Sequence, residues 1–419
     1  MKTPPSRISL APLILACAVA VVVTTTIAHA QPCGGYEVTA IIAGFVCGDH
    51  LAAVSPFALN EAGDVAGFVT CFLVQRAFRW TADTGLELIP MPPQTSQSRA
   101  LAISGSKVVG WFANSNELGI TGFLYDFETN QFTSLGTLPG GNWSEGHGLN
   151  GKGEIVGFWG DVVNGPFPQA FIWRDGEMID ITPDFGPPRG EANGINTAGL
   201  VTGWMASSPL TDARAFIWDN GKVTELPPIP EGLTSDGFAI NDQLDVAGRG
   251  RFFDPRLNET VWRAFAFVNG EAFRIDPLPG FTKSIGLDIN NAQIVVGGSS
   301  DLDIRAFVWK DGVLSDLNDL TTPLFNGDMT VASGINQIGQ IIARGHSDDL
   351  DATVGILLSA IDQGIPGDLD NDGQVGVSDL LILLSNWGPC DSCENCSADL
   401  NGDCVVGLDD LLILLANWG

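Results

Sequence analysis

Ile195-Asn196-Thr197-Ala198-Gly199-Leu200-Val201-Thr202-Gly203 is one copy of the stretch that decides the fold. The pattern Ile/Leu-Asn-x-x-Gly-x-Val-x-Gly recurs seven times, sometimes in degenerate form, with copies 44 to 49 residues apart. The second residue of each copy is, in order, Asn60, Ser104, Asn150, Asn196, Asn241, Asn290 and Asn336. A fixed period in this range is typical of proteins that repeat one small structural unit.

A second element follows each copy and supplies further strands. In the fourth unit it reads Ala215-Phe216-Ile217-Trp218, and the pair Asn220-Gly221 comes soon after it. Such pairs favour two-residue hairpins, because both positions need a positive φ angle. A short alternating segment, residues 222–226, comes next. Four short strands per unit without helices predict a propeller blade, so residues 31–360 are predicted to form an all-β seven-bladed propeller.

The two ends of the repeat region complement each other. The seventh unit lacks a fourth strand, because the chain leaves the repeat soon after Leu358. Residues 36–41, near the other end, read like the missing strand and precede the first copy. Pairing of residues 36–41 with residues 355–358 would close the ring and remove an exposed sheet edge. We therefore expect the first strand to complete the last blade.

Residues 367–419 contain two copies of an acidic loop. Oxygen-bearing side chains stand at loop positions 1, 3, 5 and 12, with a backbone carbonyl at position 7, a spacing that wraps a chain around Ca²⁺. The predicted ligands of one Ca²⁺ ion are Asp368, Asp370, Asp372, the Gln374 carbonyl and Asp379, and those of the second are Asp399, Asn401, Asp403, the Val405 carbonyl and Asp410. Cys404 takes position 6 of the second loop, where glycine is favoured, so this loop is expected to bind more weakly.

Each loop leads into a short apolar segment with helical spacing. The two stripes are Leu380, Leu383, Leu384 and Trp387, and Leu411, Leu414, Leu415 and Trp418. They are predicted to bury against each other in a small C-terminal all-α, EF-hand-like domain. Its helices are expected to begin at Asp379 and Asp410.

Two families are similar to these two regions. The loops and helices of residues 367–419 resemble a dockerin, a small calcium-loaded module that binds cohesins. Across residues 35–360 the repeat resembles the HAF family of probable extracellular repeats, with Arg or Gln mostly in place of the His of the His-Ala-Phe motif. The first resemblance implies two bound Ca²⁺ ions and a cohesin-like or cell-surface protein partner. The second implies an exported repeat protein.

Residues 1–30 have the features of a secretory signal. Lys2 and Arg7 precede an apolar stretch, and Ala28-His29-Ala30 is a typical cleavage site. Cleavage would remove those two cations and move the net charge from −29 to −31, which argues against nucleic-acid binding through phosphates. No second apolar run is long enough to span a bilayer. A secreted or cell-surface protein is predicted, with a linker at 361–366.

Export favours disulfides among the cysteines that follow the signal. Cys33 with Cys47 is the pair expected near the mature N-terminus. The four C-terminal cysteines are Cys390, Cys393, Cys396 and Cys404. They are interpreted either as disulfides, which we favour, or as ligands of a zinc ion.

Catalytic motifs are absent from the sequence. His50, His147 and His346 are interpreted as loop or surface residues, and no catalytic residue is predicted. One hypothesis is an exported non-catalytic protein that binds or adheres through its propeller and docks through its C-terminal module. The alternative is a carbohydrate-active hydrolase, or a carbohydrate-binding component of a dockerin-assembled complex. A cleft with aromatic residues and two carboxylates at one mouth of the ring would favour the alternative; residues 161–168 and 249–262, which lengthen two units, are the places to look.

Overall fold

The computed structural model describes residues 35–115, 119–161, 163, 168–185, 189–207, 212–321, 325–361, 367–369, 375–390, 396–401 and 403–418. These residues form two compact units, one of residues 37–359 and one of residues 35–36 together with the residues from 360 onwards. The first unit is built from β-sheets, and the second contains two short helices within its described part.

Seven four-stranded sheets, or blades, make up the described part of the first unit. Strand β1 (Tyr36–Ile42) and the small hairpin of β2 (Val46–Cys47) and β3 (His50–Leu51) precede them. Blade 1 contains β4 (Ala53–Leu59), β5 (Val65–Cys71), β6 (Val74–Thr81) and β7 (Gly85–Leu88). Blade 2 contains β8 (Thr95–Ser104), β9 (Lys107–Asn114), β10 (Ile120–Asp126) and β11 (Gln131–Gly136). Blade 3 contains β12 (Trp143–Leu149), β13 (Ile155–Gly160), β14 (Gln169–Arg174) and β15 (Glu177–Asp180), followed by a 3₁₀ turn at Thr182–Phe185.

The remaining blades follow in chain order. Blade 4 contains β16 (Arg189–Ile195), β17 (Val201–Ala206), β18 (Arg214–Asp219) and β19 (Lys222–Glu225). Blade 5 contains β20 (Gly232–Ile240), β21 (Val246–Asp254), β22 (Glu259–Val268) and β23 (Glu271–Ile275). Blade 6 contains β24 (Lys283–Ile289), β25 (Val295–Ser300), β26 (Ile304–Lys310) and β27 (Val313–Asp316). Blade 7 contains β28 (Gly327–Ile335), β29 (Ile341–Ser347) and β30 (Ala352–Ala360).

Strand β1 completes blade 7, whose strand order is β1-β30-β29-β28. Thr39 Oγ1 donates a hydrogen bond to Leu357 O at 3.2 Å, and Ile361 N donates to Gly35 O at 2.9 Å. The prediction of a closed seven-bladed propeller is therefore confirmed. Closure covers an edge of β30 that would otherwise present unpaired backbone groups.

The repeated residues hold each blade together. The phenylalanine of the second element is less than 2% exposed as Phe78, Phe123, Phe171, Phe216, Phe265 and Phe307. The last glycine of the first element lies on the second strand, against a carbonyl of the first. A Cβ at Gly157 would lie 1.9 Å from Glu145 O, and one at Gly203 would lie 1.8 Å from Glu191 O. Only glycine fits where two backbones approach this closely.

The repeated asparagine joins neighbouring blades as well as forming a turn. Asn196 Oδ1 accepts hydrogen bonds from Gly199 N at 3.1 Å and Leu200 N at 2.9 Å, as expected for a turn residue. Its Nδ2 also donates to the Asn241 carbonyl of blade 5 at 3.1 Å. The equivalent donors in other blades are Asn150, Asn241, Asn290 and Asn336. Asn336 donates to Asn60 O and so links the last blade to the first.

The second unit contains helices α1 (Val377–Ser385) and α2 (Leu408–Ala416) and the strand pair β31 (Gly388–Pro389) and β32 (Val405–Val406). Each helix begins two residues earlier than predicted. Asp379 and Asp410 are the third residues of their helices. Their carboxylates accept the N–H groups of Gly376 and Gly407, at 2.7 and 2.6 Å. Such acceptance at the third position satisfies an unpaired donor before the first turn, so the helix starts sooner.

The two apolar stripes bury only in part. Leu383 and Leu414 are fully buried, in a core that also contains Val375, Ala398 and Val406. In contrast, Leu384, Trp387, Leu415 and Trp418 are 44% to 49% exposed. The prediction that the stripes bury against each other is therefore confirmed only in part. Leu380 and Leu411 also pack against this core, while loop residues fill the rest of it and leave the other two positions of each stripe exposed.

Disulfides occur in both units. Cys47 pairs with Cys71, with Cα atoms 5.8 Å apart, so the predicted Cys33–Cys47 pair is wrong. The reason is that the end of β5 lies beside β2. Cys390 pairs with Cys396, and Cys404 is also disulfide-bonded, which agrees with the interpretation as disulfides rather than zinc ligands. Within the described ranges, no helix is long and apolar enough to cross a membrane.

Candidate functional site

The first strands of the blades line the centre of the propeller. Neighbouring first strands, such as β12 and β16, contact each other all around the ring. Residues from the first strands of all seven blades surround one cavity of about 840 Å³.

The repeat places two residues of every first strand on this cavity. They stand five and three positions before the repeated asparagine or its serine counterpart. In blades 1 to 7 the first position is Ser55, Arg99, Glu145, Glu191, Asp236, Ile285 and Val331, and the second is Phe57, Leu101, His147, Asn193, Phe238, Leu287 and Ser333. Blades 3 to 5 therefore contribute what we name the charged sector: Glu145, His147, Glu191, Asn193 and Asp236. Blades 6 and 7 contribute mostly aliphatic side chains at the same positions.

A β-bulge provides the second of these two positions. In blade 3, Gly146 pairs with Gly157 and Gly148 pairs with Val156, so His147 is an extra residue between two paired ones. The other six first strands have a bulge at the equivalent place. Bulges redirect side chains and are frequent beside active sites. The fold thus provides the position, and the residue of each individual blade provides the chemistry.

A chain of polar contacts links the charged sector. His147 Nε2 lies 3.4 Å from Glu145 Oε2, and His147 Nδ1 lies 3.2 Å from Asn193 Oδ1. Asn193 Nδ2 donates to Asp236 Oδ1 at 3.1 Å, and Arg249 Nε lies 3.6 Å from Asp236 Oδ2. Because the Asn193 amide group donates to Asp236, its carbonyl oxygen faces His147 as an acceptor. This arrangement assigns a proton to His147 Nδ1.

The cavity changes the acidity of these groups. Burial raises the pKa of Asp236 to about 7, against the opposing charge of Arg249. Burial also raises the pKa of Glu191, against the charge of His147. Burial alone would lower the pKa of His147, but its hydrogen bond to Glu145 and the charge of Glu145 raise this pKa above its usual value. A carboxyl group with a pKa of about 7, such as Asp236, exchanges protons near neutral pH, as acid–base catalysis requires.

Aromatic side chains surround the charged sector. The cavity wall includes Phe68, Trp111, Trp204 and Trp262. The side chain of Trp204 donates a hydrogen bond to Glu191. Phe158 contacts the His147 ring edge to face, with ring centroids 4.9 Å apart. Flat apolar surfaces beside a few ionisable groups are typical of small-molecule sites.

The interpretation of His147 as a loop or surface residue is wrong, since it lies on β12 in the channel. A sequence comparison of the seven units could have identified His147. When the units are aligned on their asparagines, the two channel positions hold Glu145 and His147 in one unit and Ile285 and Leu287 in another. The change from aliphatic to ionisable residues at equivalent positions of the repeat identifies the candidate site.

The insertion at residues 249–262 also contributes to the cavity, as expected. It lengthens β21 and β22 and brings Arg249, Arg251 and Trp262 to the wall. In the other insertion, residues 162 and 164–167 lie outside the described residues.

Three predicted calcium ligands of the first loop, Asp370, Asp372 and Gln374, lie outside the described residues. The other two, Asp368 and Asp379, are described. Asp379 is 1% exposed at the start of α1 and accepts a hydrogen bond from Leu369 N at 2.7 Å.

The second loop is described except for residue 402. Asp399 Oδ2 accepts a hydrogen bond from Cys404 N at 2.7 Å. Asn401 Oδ1 accepts from Asp403 N at 2.9 Å, and Asp403 Oδ1 accepts from Val405 N at 2.9 Å. These bonds turn the side chains at loop positions 1, 3 and 5 back over the loop. The loop conformation is therefore held by its own predicted ligands.

Asp410, at position 12 of this loop, is 1% exposed and accepts N–H groups from Leu400 at 2.7 Å and Asn401 at 3.1 Å. Cys404 has a φ angle of 68°, the left-handed turn that position 6 needs and that strains a residue with a side chain. In the described part of the chain, no group of three or more His, Cys, Asp or Glu residues is arranged to hold a metal ion. The second-loop donors are all oxygens, which is the donor type that Ca²⁺ takes, so their chemistry fits this ion.

No protein-family model and no curated protein matches the chain. Several solved structures are similar at low identity. The β-propeller domain of the trilobed protease from Pyrococcus furiosus is 16% identical, with a TM-score of 0.46, over 66% of this chain and 84% of that one. An oligogalacturonate lyase in complex with manganese is 11% identical, with a TM-score of 0.46, over 77% and 97%. A puromycin-hydrolysing peptidase of Mycobacterium tuberculosis is 12% identical, with a TM-score of 0.48, over 72% and 50%. This similarity concerns the fold alone.

Proposed function

We propose that the propeller binds a polysaccharide in its channel and acts on it by acid–base chemistry. The observation that supports this is the charged sector within an aromatic-lined cavity. Blades 6 and 7 have Ile285, Leu287 and Val331 at the equivalent positions, so the fold itself does not need ionisable groups there. Burying ionisable side chains costs free energy, and clusters of such groups with shifted pKa values are typical of reactive sites.

The roles follow from the contacts. Cleavage of a glycosidic bond needs a proton donor for the leaving oxygen and a second carboxyl group near the sugar ring. Asp236, with a pKa raised to about 7, retains a proton that ordinary carboxyl groups have released, and it is the proposed proton donor. Asn193 orients it through the bond to Asp236 Oδ1. Glu191 is the proposed second carboxyl group, and the Trp204 side chain holds it in place.

The test is to incubate the full chain with a panel of polysaccharides and to measure new sugar ends. Glu191→Gln and Asp236→Asn are each expected to lower the rate by about 10²–10⁴-fold, the usual contribution of an acid–base group. Glu225→Gln is the matched control, because Glu225 lies on the outer strand of blade 4 and is not part of the cavity wall. Unchanged rates in both cavity variants would contradict the assignment. Binding without new sugar ends would reduce the proposal to a carbohydrate-binding function.

For the C-terminal unit we propose calcium-dependent docking of an exported chain to a cohesin-like or cell-surface protein. The support is the oxygen donor set of the second loop and the outer faces of the two helices. Both copies present the same exposed apolar residues, each 44% to 65% exposed: Val377, Leu381 and Leu384 on α1 with Trp387 just after it, and Leu408, Leu412 and Leu415 on α2 with Trp418 just after it. Contiguous exposed apolar surface of this kind is typical of protein interaction sites.

Calcium titration of the chelated full chain tests this second proposal. Hydrogen exchange of the α1 and α2 amides is expected to slow on addition of Ca²⁺, because bound cations remove repulsion between the loop carboxylates. Asp368→Ala is expected to weaken the response more than Asp399→Ala, since Cys404 strains the second loop. Exchange that does not change with Ca²⁺ would contradict calcium binding. A larger loss of the response from Asp399→Ala would contradict tighter binding by the first loop.

A further inference from the structure

Positive charge is concentrated around the channel cavity. The chain has 20 Lys and Arg residues against 49 Asp and Glu residues. Among the described residues, however, the cavity wall contains Arg99, Arg249, Arg251 and Arg344 against Glu145, Glu191 and Asp236. The pKa of Asp236 is raised to about 7, which reduces the negative charge further. The cavity is therefore the place where this acidic protein is suited to receive an anion.

The arginines lie against the aromatic wall. Arg249 Cζ is 4.4 Å from the centroid of the Trp262 ring and 5.2 Å from that of Phe238. On blade 2, Arg99 Cζ is 4.6 Å from the Phe68 centroid. A guanidinium group stacked in this way keeps its plane fixed while its N–H groups point outward along the edge. Stacking thus prepares these side chains for a ligand that accepts hydrogen bonds in that plane.

One of these guanidinium groups is incompletely paired. Arg249 Nε is buried and has no hydrogen-bond acceptor among the described residues, since Asp236 Oδ2 is 3.6 Å away. A buried charged donor without an acceptor costs free energy, and an oxyanion that enters the cavity would recover it. In contrast, Arg99 Nε donates to Gln75 Oε1 at 2.7 Å, which fixes the orientation of its guanidinium group.

We propose that the channel selects an acidic sugar, a pyranose ring that carries a carboxylate as in a uronic acid. This inference rests on the proposed polysaccharide function and assigns the ligand class of that site. The aromatic faces take the apolar face of the ring, and Arg249 takes the carboxylate. Arginine pairs with a carboxylate through two parallel hydrogen bonds, which a neutral hydroxyl group cannot reproduce.

The probes are a uronic-acid trisaccharide, its carboxyl-reduced neutral counterpart and a sulfated neutral trisaccharide. Calorimetric titration of the full chain is expected to show at least 10-fold tighter binding of the uronic-acid probe than of the neutral one. The difference is expected to shrink as salt is added. Arg249→Gln is expected to abolish the preference, and Arg249→Lys to retain only part of it, because lysine keeps the charge without the planar fork.

Arg305→Gln is the matched control, since Arg305 forms ion pairs with Asp316 and Asp328 and is not part of the cavity wall. It is expected to leave the preference unchanged. Equal binding of the acidic and neutral probes overturns the inference and leaves the proposed polysaccharide function standing. Preferential binding of the sulfated probe overturns the choice of a carboxylate. Binding of none of the probes, together with no action on any polysaccharide, overturns both proposals. If Arg249→Gln shows no melting transition and is therefore unfolded, the same binding measurements are made with Arg99→Gln.

Discussion

The two units use sequence repetition in opposite ways. In the propeller, repeated residues such as Phe216 and Asn196 hold the fold, and the candidate site consists of residues that depart from the repeat, such as His147 and Asp236. In the C-terminal unit the repeated residues are themselves the candidate ligands. Repetition alone therefore does not show whether a residue has a structural or a functional role; its contacts in the structure are needed to decide. The repeated phenylalanine fills the core of each blade, whereas the repeated aspartates are the proposed Ca²⁺ ligands of each loop.

The largest expected effect separates the two kinds of propeller residue within blade 4. Phe216→Ala removes a fully buried ring and is expected to lower the free energy of unfolding by about 3–5 kcal/mol. Glu191→Gln is expected to change it by less than about 1 kcal/mol, because burial already disfavours the Glu191 charge, while it lowers the rate on polysaccharide by about 10²–10⁴-fold. Urea denaturation of both variants gives the comparison. Equal destabilisation would show that the charged sector is structural.

Asp288 also departs from the repeat but lies outside the cavity wall, so it tests whether such a departure can affect stability instead of activity. Asp288 stands where the other first strands have Ala or Gly. Burial raises its pKa to about 7, and it accepts a hydrogen bond from Ile335 N of blade 7 at 2.9 Å. The folded state therefore holds this proton more tightly than the unfolded state, so its contribution to stability falls as pH rises from about 4 to about 7.

Asp288→Asn is expected to flatten that part of the pH profile. At about 1.4 kcal/mol for each unit of pKa shift, the change in slope accumulates to a few kcal/mol over the interval. Melting temperatures of both proteins between pH 4 and pH 7 give the measurement. Parallel profiles would mean that the Asp288 proton does not matter for folding.

Within the C-terminal unit, Asp410 and Asp409 are neighbours with different surroundings. Asp410 is buried and accepts three backbone N–H groups, whereas Asp409 is exposed. Asp410→Ala is expected to destabilise α2 by about 1–3 kcal/mol, because buried donors lose their acceptor. Asp409→Ala is expected to have a much smaller effect. Hydrogen exchange of the α2 amides in the full chain measures both, and similar losses would remove the distinction.

The smallest expected effect restores the repeat where blade 2 lacks it. Ser104 replaces the asparagine whose side chain links one blade to the next elsewhere. Ser104→Asn is expected to raise the free energy of unfolding by about 0.5–1.5 kcal/mol, the net value of one added hydrogen bond. In the reverse experiment, Asn196→Ala removes the existing hydrogen bond between blades 4 and 5 and is expected to lower the free energy of unfolding. A neutral Ser104→Asn would show that blades 2 and 3 are too far apart for the bond.

The fold could be predicted from the sequence because seven units with a period of 44 to 49 residues are compatible with few architectures. In addition, Tyr36–Ile42 has the pattern of the strand that blade 7 lacks. The charged sector did not follow. His147 and Glu145 are distinguished only by their place among the equivalent channel positions of the seven blades, and the contact of His147 with Asn193 joins separate blades. The Cys47–Cys71 pair was missed for a similar reason, since a cysteine count does not show which strand ends lie together. The exposure of Trp387 and Trp418 depends on how small the shared core is, which helical spacing does not reveal.

Pairing of β1 with β30 sets the timing of folding. Thr39 and Leu357, which share a hydrogen bond, are 318 residues apart. At a synthesis rate of about 5–20 residues per second, β1 waits roughly 15–60 s for its partner. During that interval six blades can form in sequence, each from local hairpins, while β1 remains an unpaired strand able to join another chain. The last propeller strand to be synthesised, β30, rather than the first, therefore commits the propeller to its closed ring.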